Sequence, residues 1–86
     1  MSDLQAQFQA AVANSKTLAS RPDNETMLKL YSLYKQATSG DVSGKKPSRF
    51  NMVDRAKFEA WEKMKGTSAD SAQQQYVDLV NRLKGA

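Results

Sequence analysis

The sequence predicts an all-α fold, a bundle of four helices, on three observations. Apolar residues recur at three- and four-residue steps in four separate stretches. Each stretch is bounded by residues that cap or stop a helix, among them Pro22, Gly40, Gly66 and Gly85. Nowhere does polarity alternate as a half-buried strand requires. At 86 residues, the chain reads as one domain spanning 1–86, with a single core.

In the first stretch Leu4, Phe8, Ala11, Val12, Ser15 and Leu18 mark one face, with Gln and Asn between them. The spacing predicts an amphipathic helix from about Asp3 to Asn14 or a little beyond. Asp3 is expected in its first turn, where the macrodipole favours an acid. Ala19-Ser-Arg-Pro22 breaks the pattern, because proline disfavours helical geometry at the residue before it. Asp23 or Asn24 can cap the second helix with a side-chain oxygen. Met27, Leu30, Tyr31, Tyr34, Ala37 and Thr38 then form a stripe, broadened by Leu28 and Leu33. That is more apolar surface than one partner needs, so this helix should sit centrally and also line something. Gly40 is expected to supply its left-handed stop.

The connection from Asp41 to Met52 is long and polar and contains Gly44 and Pro47. A link of that length can cross the end of a bundle and leave the helices it joins parallel. Phe50 and Met52 are the residues expected to pin it to the core. Val53, Ala56, Lys57, Ala60, Trp61 and Met64 mark a third helix over roughly 54–65, which Gly66 ends. Thr67 and Ser68 are alternative caps for the fourth, Thr67 with Asp70 in capping-box spacing. Its stripe is Ala69, Ala72, Tyr76, Leu79, Val80 and Leu83, and Tyr76 is its only aromatic residue.

Composition excludes several functions. Without cysteine or histidine there is no disulfide, no thiolate or imidazole metal site and no histidine base. No apolar run approaches the roughly 20 residues of a membrane span, and the first residues do not resemble a secretion signal. A soluble cytoplasmic protein is the expectation. No hydroxyl stands in an evident pairing with a base and an orienting group, so no catalytic residue is assigned. Gly40-Asp-Val-Ser-Gly44-Lys45 lacks the spacing and the preceding strand of a phosphate loop. The net charge of +4 is concentrated between 44 and 65, where seven bases face Asp54, Glu59 and Glu62. Such asymmetry suggests an anionic partner, or simply a solvated basic loop and helix.

The densest chemistry is on the second helix. Tyr31 and Lys35 are four apart and share a face, while Tyr34 borders it at about 100° from Lys35. Lys57 lies on the apolar stripe of the third helix, one turn before Trp61. With Tyr76 from the fourth, these groups can meet if the helices pack as inferred. Ammonium and phenol suit phosphate, and an aromatic face suits a purine. Tyrosines at helical spacing equally serve as core rings with a wet hydroxyl, so the residue types alone leave both readings open.

A longer pattern resolves them. Tyr31-Ser-Leu-Tyr-Lys-Gln-Ala-Thr-Ser-Gly-Asp41 resembles the hallmark of the acyl-coenzyme A binding proteins. Lys46-Pro47, Ala56-Lys57-Phe58-Glu59-Ala60-Trp61, Lys65-Gly66-Thr67-Ser68 and Tyr76 follow in the family's order. The resemblance implies an up-down-down-up bundle with the long crossover loop between helices two and three. It implies a bowl that takes coenzyme A at its rim and the acyl chain inside. By position, Tyr31, Lys35 and Lys57 would hold the ribose 3′-phosphate, Tyr34 would lie against the adenine, and Tyr76 would close the site. Phe8, Val12, Met27 and Leu28 would surround the acyl chain.

Three departures accompany the match. Phe58 stands where the family usually has tryptophan, Lys46-Pro47-Ser48 replaces its usual Arg-Pro-Gly, and Asn51-Met-Val-Asp54 opens the third helix with less basic charge. The implied protein is a non-enzymatic carrier of medium- to long-chain acyl-CoA esters, monomeric, with no metal and no cofactor beyond its cargo. Enzymes that use acyl-CoA are its expected partners, with no nucleic acid and no stable membrane insertion. The rivals are a basic helical nucleic-acid binder using 44–65 and an adaptor whose apolar groove accepts another helix.

Overall fold

Helix α1 covers Leu4–Ser15, α2 Asn24–Ser39, α3 Met52–Glu62 and α4 Ala69–Gly85 in a computed structural model that describes residues 3–85. No strand occurs among the described residues. The helices form a four-helix bundle in which α4 packs against both α1 and α2, while α3 packs against α2 alone. Facing residues set the directions. Tyr31 meets Lys57 and Lys35 meets Trp61, so α2 and α3 run parallel. Phe8 touches both Tyr34 and Tyr76, and Gln36 near the end of α2 reaches Thr67 just before α4. The path is therefore up-down-down-up, with the 40–51 connection crossing one end.

The shared core consists of Phe8 and Ala11 from α1, Leu30 and Leu33 from α2, and Ala72, Tyr76, Val77 and Val80 from α4. These are the stripes expected from three- and four-residue spacing. Trp61 is buried separately, between α3 and the end of α2. The molecule is a slab, with principal extents of 39 × 31 × 15 Å and a radius of gyration of 13.2 Å. A chain of this length packed as a sphere-like domain would have a radius of about 12 Å. The difference matches the flattened shape.

Some local expectations hold and others need correction. Asp3 sits at the N-cap position of α1 and makes no side-chain cap bond, although its carbonyl accepts from the Gln7 N–H at 2.8 Å. Asp23 caps α2, accepting from the Thr26 N–H at 2.8 Å. Gly40 ends α2 with φ 80° and ψ −153°, outside the left-handed helical region and in one essentially reserved for glycine. Helix α3 begins two residues earlier than expected and stops at Glu62. Bonds of the i→i+3 kind from Met64 and Lys65 tighten the chain there into a turn. Ser68 caps α4, accepting from the Ser71 N–H at 3.1 Å; the Thr67–Asp70 box does not form.

The largest correction concerns the crossover loop. Phe50 is 93% exposed and Met52 76% exposed, so neither pins it. Polar contacts hold it instead. The Arg55 Nη1 donates to the Pro47 carbonyl at 3.2 Å, and Lys46 pairs with Glu59 at 3.4 Å and Glu62 at 3.6 Å.

Candidate ligand-binding trough

Central placement lets α2 present side chains to three neighbours, and a trough runs along it. One part, of about 620 Å³, lies between α2 and α3 and is bordered by Met27, Leu28, Tyr31, Met52, Ala56 and Lys57. Its neighbour, about 400 Å³, shares Met27 and Tyr31 and continues to Val12, Tyr34 and Tyr76. A third part, about 460 Å³, shares Val12 and Tyr34 and reaches Phe8. Eight of the nine residues singled out from the sequence therefore line three adjoining depressions that share Met27, Tyr31, Val12 and Tyr34 as walls. Their walls are largely apolar near α3, and their flanks carry phenols and an ammonium.

The ninth, Lys35, is placed otherwise. Its Nζ lies 4.9 Å from the centre of the Trp61 ring, on the side of α2 that meets α3. One turn earlier, the Lys57 Nζ lies 5.4 Å from the centre of the Tyr31 ring. Each parallel helix thus lends a lysine to a ring on the other, and each such contact contributes about 0.5–1 kcal/mol at a partly exposed site. In this arrangement each ammonium lies over a ring of the opposite helix, one turn apart.

Beneath the trough, three rings pack together. Phe8 and Tyr34 stack with centres 6.0 Å apart, and Phe8 meets Tyr76 edge-on at 5.2 Å. Tyr76 is 4% exposed, and its hydroxyl donates to the Ser15 Oγ at 3.1 Å. It forms a floor, not a closing wall. Tyr34 is exposed along one face and offers a ring to a flat ligand.

Residues beyond the trough hold its end together, and sequence reasoning passed over them. Gln36, 1% exposed, donates from Nε2 to the Asp41 Oδ1 at 2.8 Å and to the Thr67 carbonyl at 2.7 Å. Asp41 Oδ1 also accepts from the Gly66 N–H at 2.9 Å, and the Trp61 Nε1 donates to the Gly40 carbonyl at 2.8 Å. The second half of the long motif is thus a joint between the ends of α2 and α3 and the start of α4. The available signal was a glutamine on an apolar stripe, since a buried amide must find partners.

The bond from the Gly66 N–H, then that from Gln36, holds the Asp41 carboxyl below its ordinary pKa of 3.8; desolvation opposes this, and Lys65 adds a weaker attraction. A carboxyl depressed in the folded state stabilises the fold fully above its ordinary value, and that contribution is lost as pH falls through the depressed one. Asp41→Asn keeps an acceptor but removes the titration. Thermal melts from pH 7 to pH 3 should therefore show a gap from the parent at neutral pH that narrows in acid. A constant gap would mean the charge is irrelevant.

Among the described residues no three His, Cys, Asp or Glu side chains are grouped to hold a metal ion, and no helix is long and apolar enough to cross a membrane. Comparison with known proteins points one way. The family described as Acyl CoA binding protein matches residues 5–80. The acyl-CoA-binding protein of Saccharomyces cerevisiae is 50% identical over 66 residues, covering 77% of this chain and 76% of that one. Acyl-CoA-binding protein homolog 1 of Caenorhabditis elegans is 46% identical over 76 residues, 88% of each. The crystal structure of Oryza sativa Acyl-CoA-Binding Protein 2 superposes with a TM-score of 0.89 at 41% identity, covering 93% of this chain and 89% of that one.

Proposed function

The chain belongs to the acyl-CoA-binding protein family, and on that premise we propose that it binds medium- to long-chain fatty acyl-CoA esters one to one and carries them without chemical change. The observation that supports this most is the run of adjoining depressions along α2, apolar beside α3 and around Met27, more polar at the Phe8 end, and flanked by Tyr31, Tyr34 and Lys57. In this reading the acyl chain lies over Met27, Leu28, Val12 and Phe8. Lys57, Lys35 and the Tyr31 hydroxyl take the 3′-phosphate, and Tyr34 lies against the adenine. The lysine contacts to rings are weak enough for phosphate to displace, since charge-assisted bonds to an anion are stronger. Tyr76 supports the floor.

The carrier needs no metal or cofactor, works as a cytoplasmic monomer, and delivers its ester to enzymes that consume acyl-CoA. The nucleic-acid reading loses force because Lys46 and Arg55, two of the bases it requires, are tied to Glu59 and Glu62. The adaptor reading would leave the phenols and lysine of the trough without a task.

Titration calorimetry with hexadecanoyl-CoA, octanoyl-CoA and free coenzyme A at two salt concentrations tests the proposal. The expected result is 1:1 binding that strengthens by up to about 0.8 kcal/mol for each methylene removed from water, until the trough is full. Equal weak binding of all three that disappears with salt would overturn it.

A further inference from the structure

The chain has no cysteine, so its only sulfur atoms are the thioethers of four methionines. Three of these fall among the described residues, and they are placed unequally. Met64 is half-buried and packs against the shared core. Met27 is 39% and Met52 76% exposed. Both border the depression between α2 and α3, Met27 from the first turn of α2 and Met52 from the first position of α3. Met27 also belongs to the wall shared with the depression that continues to Val12. The two accessible sulfurs thus stand where the acyl chain is proposed to lie.

Oxidation at these positions acts on recognition more than on folding. The thioether lone pair attacks one oxygen of a hydroperoxide, forming an S–O bond as the O–O bond breaks. From hydrogen peroxide the other oxygen leaves as water. Sulfur is oxidised by two electrons, the peroxide is reduced by two, and a flexible apolar side chain becomes a polar sulfoxide. In the free protein water reaches the new oxygen at both positions, so the fold loses little. An acyl chain laid over it drives that water away and brings no donor in exchange. An acceptor desolvated without a partner is costly.

We propose that Met27 and Met52 form a peroxide-sensitive modification site whose oxidation loosens the protein's hold on the acyl chain. Sulfoxide reductases, one for each epimer, make the change reversible. The effect on affinity rests on the acyl-CoA reading. The preference of peroxide for these two sulfurs over Met64 rests on exposure alone.

The test treats the whole protein with dilute hydrogen peroxide, locates the added oxygens by peptide mass spectrometry, and titrates hexadecanoyl-CoA and free coenzyme A by calorimetry. Met52 and Met27 should gain oxygen before Met64. Affinity for hexadecanoyl-CoA should fall roughly tenfold, with the melting temperature little changed. It should return after incubation with both sulfoxide reductases and dithiothreitol. Free coenzyme A has no chain to lay over the sulfurs and should bind treated and untreated protein alike. In the double variant Met27→Leu with Met52→Leu, peroxide should leave the affinity at its starting value, whatever that value is. Oxidation of Met64 as early as the exposed pair would overturn the proposal. So would unchanged affinity for hexadecanoyl-CoA once both have gained oxygen, or an equal loss in the double variant. Untreated protein that fails to bind hexadecanoyl-CoA would overturn the acyl-CoA reading itself, and the regulation with it.

Discussion

Lys57→Ala is expected to weaken acyl-CoA binding by about 1–3 kcal/mol while circular dichroism and melting change little. Lys57 is half-buried beside the trough and makes no ion pair among the described residues, its ammonium lying instead over the Tyr31 ring. Losing it removes only a weak contact before ligand arrives. In the proposed complex it would supply a charge-assisted bond to phosphate, and such bonds contribute about 1.5–3 kcal/mol. The expected loss of about 1–3 kcal/mol is roughly fivefold to 150-fold in affinity. Lys57→Met keeps an unbranched stem over Tyr31 and should be as weak as alanine if the charge matters. Tyr31→Phe keeps the ring, removes the hydroxyl and should lose less. Calorimetry with hexadecanoyl-CoA reads all three, and parent-like affinity in each would remove these residues from the site.

Gln36→Ala should act on the opposite quantity, lowering stability by about 2–3 kcal/mol with the trough unchanged. Two bonds disappear, leaving the Thr67 carbonyl without its donor and Asp41 with Gly66 alone. Removing a fully buried side chain also opens a cavity. A partial offset comes from the Gln36 Oε1, which is buried without a partner and is removed as well. For a domain of this size the melting temperature should fall by about 10–20 °C. Gln36→Leu fills the volume without restoring donors, so its stability should fall between the two if both packing and hydrogen bonding count. A melt within a degree or two of the parent for Gln36→Ala would show that the joint carries no weight.

These two residues mark the boundary of what periodicity and motif could reveal. Helices were legible because Leu30, Leu33, Ala72, Tyr76 and Val80 recur at helical spacing and are buried by that spacing alone. The parallel course of α3 was legible in the length of the crossover. Gln36 was not, because its partners lie five and thirty-one residues away. The spacing of Lys35 put it on the correct side of α2, but no local pattern announces that Trp61 will hold it. Phe50 and Met52 misled because apolar chemistry favours burial only where a neighbour is available, and the loop end offers none. Tyr76 carried a hydroxyl that suggested a ligand, yet Ser15 on α1 already takes its hydrogen bond.

The solitary attachment of α3 has an energetic consequence. Helices α1, α2 and α4 share one core, to which α3 contributes no buried residue; its own buried Trp61 rests on the end of α2. Cooperative units with few apolar contacts open at lower free energy than the whole molecule. The crossover loop and α3 are thus the portion the chain can release most cheaply, leaving a three-helix remainder intact. A ligand spanning from Met27 to Lys57 would provide the second neighbour that α3 lacks. Occupancy and the folding of α3 then become one linked equilibrium, in which the cargo completes the architecture of its carrier.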